Sequence, residues 1–287
     1  MGQWVKTEQA YKGWYNPIEP SLYSVVHHVH RRQLTVQYPR AILRTHMPVG
    51  KALTNVLYPP ACLLCHGRLS SPEEVLCGNC VKAMPRSEPP VCVRCGVGIP
   101  GAFDALMPCA TCRKKPPAFE QARAPWRYAG AVQEAIQQFK YRRRWRIGRW
   151  LAEEMARVAR SSFPLDEEVF VASVPLHWIK RRLNGFNPAE DLARVVAHAL
   201  EKPYDPRALR RIRWTPTQTR LSSAQRIRNV RGAFASNHHR SIRNRTVLLI
   251  DDVLTSGATA NACAAALKEA GAGRVLILTA ARTPLLG

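Results

Sequence analysis

The sequence predicts an α/β protein: a parallel sheet with helices on both faces, preceded by a small cysteine-rich module that holds metal. Three observations predict it. Eight of the nine cysteines fall into four C-x-x-C pairs between residues 62 and 112. From Trp126 onward, apolar runs of strand length alternate with amphipathic helical segments, the pattern of a sheet buried on both sides. One such run, "VLLI" at 247–250, ends on Asp251-Asp252 and a loop of hydroxyl-bearing and small residues.

Residues 1–46 hold neither a helical nor a strand period and are read as a disordered extension, with Met47 as the expected natural start. Residues 47–115 form the expected double metal module. Its leading segment, with Leu53, Val56, Leu57 and Tyr58 at helical spacing, stops at Pro59-Pro60. Pro116-Pro117 then link to a domain over 120–287. There "WRYAG" is a short strand, and "AVQEAIQQFKY" a helix with Val132, Ile136 and Phe139 on one face. A second helix is "IGRWLAEEMARVAR", and "VFVASVP" (169–175) is a buried strand. Asn187, Pro188 and Glu190 start a helix well, as cap, first-turn proline and acid at the positive end. Leu192, Val195, Val196 and Leu200 form its core face. A strand is expected around 208–214 and about two helical turns within "SAQRIRNVRGAF". The last unit is strand, helix, strand: "TVLLIDDV", "GATANACAAALKEAG", "RVLILTAAR", with Gly271 placed to end the helix.

Two residues between cysteines let one turn present both sulfurs to a metal at about 2.3 Å. Cys62, Cys65, Cys77, Cys80, Cys92, Cys95, Cys109 and Cys112 therefore supply up to two four-thiolate zinc sites. Pairing the knuckles in sequence order gives two zinc ribbons and is favoured; pairing first with third and second with fourth is the alternative. A module of about 50 residues with few large apolar side chains needs such staples, so the zinc has a structural role at the least. Cys263, alone among alanines, reads as a small buried residue.

The formal net charge is +23, from 43 Lys and Arg against 20 Asp and Glu. Such an excess favours a polyanionic partner, although free use of Arg by a GC-rich coding sequence explains it as well. Two zinc tetrathiolates at −2 each would lower it to roughly +19. No apolar run has the roughly 18–20 residues of a membrane span, and no secretory signal opens the chain. A cytoplasmic location with reduced thiols is expected.

In a parallel α/β sheet, ligands bind beyond the carboxyl ends of the strands. Asp251 and Asp252 stand at such an end. Thr255, Ser256, Gly257, Ala258 and Thr259 follow, leading into a helix whose first amides carry partial positive charge and suit a phosphate. Two acids set one step back suit sugar hydroxyls or water on Mg²⁺. The implied ligand is a ribose phosphate.

"VLLIDDVLTSGAT" (247–259) resembles the phosphoribosyl pyrophosphate (PRPP) motif of type I phosphoribosyltransferases, whose fold is a parallel sheet of about five strands and whose substrate is Mg²⁺-PRPP. Purine-salvage members carry an acid where this chain has Thr255, which argues against hypoxanthine-guanine chemistry. The four knuckles, "FKY" (139–141), "VPLHWIKRRLNGFNPAEDLA" (174–193) and "RWTPTQTRLSSAQRIRNVRGAF" (213–234) occur, with that motif, in the same order in ComF-family proteins. The family resemblance implies a cytoplasmic factor of natural transformation that handles incoming single-stranded DNA with helicase and processing partners. It places Lys180, Arg181 and Arg182 in a pyrophosphate loop and matches Gln218, Arg226 and Asn229 to family positions, in a segment that could close over PRPP. The family's Arg before "GFN" and Gln after it are Asn184 and Pro188 here.

Two arginine-dense stretches are interleaved with aromatics, 139–150 and 207–231. Arg pairs with phosphate, and aromatic rings stack on unpaired bases. The nucleic-acid candidates are Lys140, Tyr141, Arg142, Arg143, Arg144, Trp145, Trp214, Gln218 and Arg226; Trp145 and Trp150 suit a core as well. Three functions remain open: a DNA-handling factor with PRPP as ligand, a phosphoribosyltransferase with an unidentified acceptor, and an adaptor whose ribbons dock a partner. No residue stands out in the sequence as a general base.

Overall fold

The computed structural model describes residues 59–101, 107–177, 182, 185–214, 223–236 and 242–284. The expectations for residues 1–46, the 53–58 segment, Lys180, Arg181, Asn184 and Gln218 lie outside them. Residues 49–287 make one compact unit.

The sheet is built from β1 (Gln121–Arg123), β2 (Trp126–Arg127), β3 (Val169–Ser173), β6 (Thr246–Leu254) and β7 (Arg274–Arg282). All pairings are parallel, in the order β1-β7-β6-β3, with β2 also on β7. Register fixes the faces, because successive strand residues point to opposite sides. Val171 aligns with Leu248, and Leu248 with Leu276. Val169, Val171, Leu248, Ile250, Leu276 and Leu278 face one core, and Phe170, Ala172, Val247, Leu249, Val275 and Ile277 the other.

Helices α3 (Gly130–Arg142), α4 (Trp145–Ser162) and α5 (Pro188–Leu200) cover the first face. Val132, Ile136 and Phe139 are buried as their spacing predicts, and so are Leu192, Val196 and Leu200. Val195 is half-buried at the margin of that face. Asn187 caps α5: its Oδ1 accepts from the Ala189 amide at 3.2 Å, and Pro188 occupies the first turn.

Helix α7 (Ala258–Glu269) covers the second face, with Cys263 and Leu267 fully buried beneath it. The strand foreseen around 208–214 is β4 (Leu209–Arg211), which lies outside the parallel sheet and pairs antiparallel with β5 (Phe234–Ser236). Only Leu209 of its three residues is buried, too little apolar surface for a strand covered on both sides. Helix α6 (Ser223–Val230) leads into this small pair.

The cysteine module is a structural duplicate. Each half closes on an antiparallel bridge, Ala61 with Arg68 and Val91 with Gly98. Each second cysteine pair opens a short helix, α1 (Gly78–Lys82) after Cys77 and α2 (Ala110–Lys114) after Cys109. The first half joins the core of α3–α5 and the second joins the core under α7, so the two halves straddle the β1 edge of the sheet.

Candidate functional site

The sulfurs assemble in sequence order: Cys62, Cys65, Cys77 and Cys80 in one cluster, Cys92, Cys95, Cys109 and Cys112 in the other, all within 4.8 Å of one another in each. Zinc–sulfur bonds of about 2.3 Å at tetrahedral angles require sulfurs about 3.8 Å apart. Cys65 and Cys77 are 3.6 Å apart, and Cys95 and Cys109 are 3.8 Å apart. Backbone amides point at the sulfurs as they do toward thiolates: Cys77 to Cys62 at 3.3 Å, Cys95 and Cys109 to Cys92 at 3.4 and 3.2 Å. Burial raises the Cys62 thiol, but the amides of Cys65, Cys77 and Leu64 outweigh it and bring it down to about 6. Cys92 falls to about 7 in the same way. Cys80 and Cys112 go up, through burial and then through the neighbouring sulfurs. A dication would relieve that crowding of negative charge, so both clusters fit zinc.

The carboxyl ends of β3 and β6 carry the second feature. Asp251 and Asp252 lie in the last turn-ward stretch of β6 and are half-buried. The Asp252 amide donates to Asp251 Oδ1 at 2.9 Å. Burial, then the adjacent Asp252 carboxylate, push Asp251 up to about 7, against the opposing pull of the Asp252 amide, Lys140 and Arg211. Lys140, at the end of α3, sets its Nζ 2.7 Å from Asp252 Oδ2. Burial works against that ammonium, but Asp252 and then Asp251 prevail and raise its pKa. The acids are thus not simply open to a ligand: a sugar diol or a hydrated Mg²⁺ must share Asp252 with Lys140.

Beyond the acids the chain turns through Thr255 and Ser256 to Gly257. Gly257 caps α7 at φ 77°, a left-handed conformation that other residues rarely take. The first bond within the helix runs from the Asn261 amide to the Gly257 carbonyl at 2.8 Å. Amides ahead of that bond are those a helix leaves for an outside acceptor. Ser256 Oγ receives one of them, from Ala258, at 3.4 Å. A cavity of about 690 Å³ adjoins Thr255, Ser256, Gly257 and Ala258 and extends along α7 to Arg226 and the second cysteine cluster.

The basic and aromatic candidates divide. Tyr141 is 80% exposed, Trp145 42% and Trp214 52%. Arg142 and Arg143 are exposed and Arg144 half-buried. Trp145 meets Phe186 edge-on at 4.9 Å, and Arg143 lies over the same Phe186 ring at 5.7 Å, so the "GFN" segment clips the α3–α4 junction beside the acids. Trp150 belongs to the core, stacked on Trp126 at 5.2 Å. Lys140 serves Asp252, although the sequence placed it with the nucleic-acid residues. Arg182 is exposed. Sequence reasoning missed Arg282, a buried charge closing a strand whose residues 275–281 are apolar apart from Thr279; that charge was the available signal.

These features define a class: a double four-cysteine ribbon docked on a phosphoribosyltransferase-type domain. Comparison with known proteins agrees. The double zinc ribbon domain matches residues 53–113 and the phosphoribosyl transferase domain matches residues 183–284. DNA utilization protein YhgH of Salmonella typhimurium is 31% identical over 229 residues, 78% of this chain and 98% of that protein. Competence protein F of Haemophilus influenzae is 28% identical over 225 residues, 77% of this chain and 96% of that one. Among solved structures, glutamine PRPP amidotransferase from B. subtilis shares 19% identity at a TM-score of 0.34, over 50% of this chain and 30% of that one. The chain belongs to the ComF family. Among the described residues no helix is long and apolar enough to cross a membrane.

Proposed function

We propose that this chain is a DNA-uptake factor of the cytoplasm that binds PRPP with Mg²⁺ through residues 251–259 and single-stranded DNA through its exposed Arg, Tyr and Trp side chains. The observation that carries the reading is the juxtaposition at one end of the sheet of an acid pair, a lysine counter-ion and a glycine-capped helix start. The helix start reads a monophosphate. The acids read ribose hydroxyls. Mg²⁺, when bound with PRPP, supplies neutralisation of the pyrophosphate. The relatives' names, DNA utilization protein and Competence protein F, support the DNA side of the reading. Tyr141 follows Lys140 directly, so a strand stacked there would pass the rim of the acid pair.

A second reading, phosphoribosyl transfer to an unidentified acceptor, draws on one observation. Asp251 is held at about 7, the range in which a carboxyl works as a general acid or base near neutral pH.

The deciding experiment measures PRPP binding with Mg²⁺, and pyrophosphate release with single-stranded DNA present, for the parent and for Asp251→Ala with Asp252→Ala. Saturable binding without release, lost in the double variant, is the expected result. Release would establish the transferase, and no affinity in the parent would leave an adaptor built on the ribbons.

A further inference from the structure

One side chain joins the second cysteine cluster to the phosphate loop. Arg282 closes β7 and is 8% exposed. Its Nε donates to the Cys95 carbonyl at 3.0 Å, and its Nη2 reaches Cys95 Sγ at 3.8 Å. Its Nη1 donates to the carbonyls of Leu254 and Thr283, both at 2.9 Å, and to that of Thr255. The planar guanidinium thus grips a cysteine knuckle on one edge and the phosphate loop on the other.

The consequence for the loop follows from peptide geometry. A peptide unit is planar and trans, so a carbonyl and the amide that follows it point in opposite directions. Pinning the Leu254 and Thr255 carbonyls on Arg282 fixes the Thr255 and Ser256 amides to point away from the guanidinium. The knuckle in turn is anchored on β1. The Ala122 amide donates to the Arg94 carbonyl at 2.7 Å, and a Cβ on Gly96 would come within 2.6 Å of the Ala122 carbonyl oxygen. The first cluster's ribbon is held elsewhere, by Arg146, whose Nη2 donates to the carbonyls of Pro72 and Glu74 at 2.7 and 2.9 Å.

We propose that the second four-cysteine cluster positions the phosphate loop, and that Arg282 is the positioning residue that carries the metal's hold on Cys95 to the amides of Thr255 and Ser256. This rests on the phosphate reading given above. Cys95 would be held as a thiolate at a fixed place when zinc is bound, and Arg282 converts that place into the direction of the loop amides. A lysine cannot replace it, because one point charge does not reproduce a fork that serves four carbonyls and a sulfur. The first cluster has no such part.

The test uses the full zinc-loaded chain, Arg282→Lys, and a first-cluster variant, Cys62→Ser with Cys65→Ser. Zinc content, backbone amide exchange over 254–260 and affinity for ribose 5-phosphate are measured together. Removing a group that orients a metal ligand typically costs roughly 10–100-fold in metal affinity or activity. Arg282→Lys is expected to speed exchange at 255 and 256 about tenfold and to weaken ribose 5-phosphate binding about tenfold. The first-cluster variant is expected to leave both at the parental level while holding one zinc fewer. Parental exchange and affinity in Arg282→Lys would overturn the proposal, as would equal disturbance of the loop by the first-cluster variant. If the parent binds no ribose 5-phosphate, the phosphate reading falls, and exchange alone decides the link: faster supports it, unchanged overturns it. Should Arg282→Lys not fold, the parent is treated with a chelator and exchange is followed as each zinc leaves. Loosening of 255 and 256 that accompanies only the second-cluster zinc supports the link; loosening with the first overturns it.

Discussion

The two cysteine clusters share the C-x-x-C knuckle, the closing bridge and the short helix, and differ in their burial and in what packs against them. In the first, Cys62 is buried, Cys77 and Cys80 are half-buried and Cys65 is exposed; in the second all four are buried. The first sits on the helix-covered face where α4 lies, and its ribbon is held by the exposed Arg146. The second is wedged between β1, the end of β7 and the cavity beside α7, with Arg282 at its back. The ligand pattern encodes metal binding, and the neighbourhood determines what the metal is used for. A staple near the surface holds a ribbon closed, whereas on the proposed reading one buried against the loop also bears on a ligand site.

The largest expected difference is in stability. Metal binding free energy is folding free energy in small metal modules. Cys95→Ser removes a ligand from the buried cluster and the sulfur facing Arg282, whereas Cys65→Ser removes an exposed ligand. The midpoint of thermal unfolding is expected to fall by about 10 °C more for Cys95→Ser than for Cys65→Ser, equivalent to a difference of about 3 kcal/mol. Equal losses would remove the distinction between the clusters.

Next comes the charge balance at the acids. Lys140→Met strips the partner from the half-buried Asp252 carboxylate and is expected to cost about 2 kcal/mol in a denaturant titration, because hydrogen bonds to charged groups contribute about that much. Both zinc ions should remain. A third change sharpens the loop side of the comparison. Gly257→Val places a side chain at φ 77° and is expected to cost about 1–2 kcal/mol and to abolish sugar-phosphate binding, with zinc content unchanged.

The remaining effect is a pH dependence. In the unfolded chain the Asp251 carboxyl ionises near 3.8, whereas in the folded chain burial and Asp252 hold its proton to about 7. The native state therefore binds more protons across that window, and this carboxyl's contribution to stability falls as pH rises through it. Asp251→Asn is expected to remove the fall, so parent and variant converge below pH 4 and the variant gains toward pH 7 when denaturation is measured without ligand. A parental slope in the variant would show that another group titrates.

Much of this was legible in the sequence, for stated reasons. The clusters were legible because a tetrahedral metal imposes a local spacing on its ligands, and their pairing became plain only when each half closed on its own bridge. Strands β3, β6 and β7 were legible because burial on both faces demands unbroken apolar runs. Strand β1 was not: three residues, Gln121, Ala122 and Arg123, show no period. Nor was the place of Lys140, since a basic run gives no hint that one member turns inward to an acid 112 residues on. Arg282 was the hardest, because its partner Cys95 is 187 residues away and only the register of Leu254 with Arg282 brings the loop, the strand end and the knuckle together.

The central claim is that the end of β6 cradles a sugar monophosphate, and a calorimetric titration of ribose 5-phosphate into the zinc-loaded chain tests it most directly. One saturable site in the parent, absent from Gly257→Val, is the predicted result. A parent that takes up no ribose 5-phosphate at millimolar concentration, or a Gly257→Val chain that binds it equally well, would contradict the account.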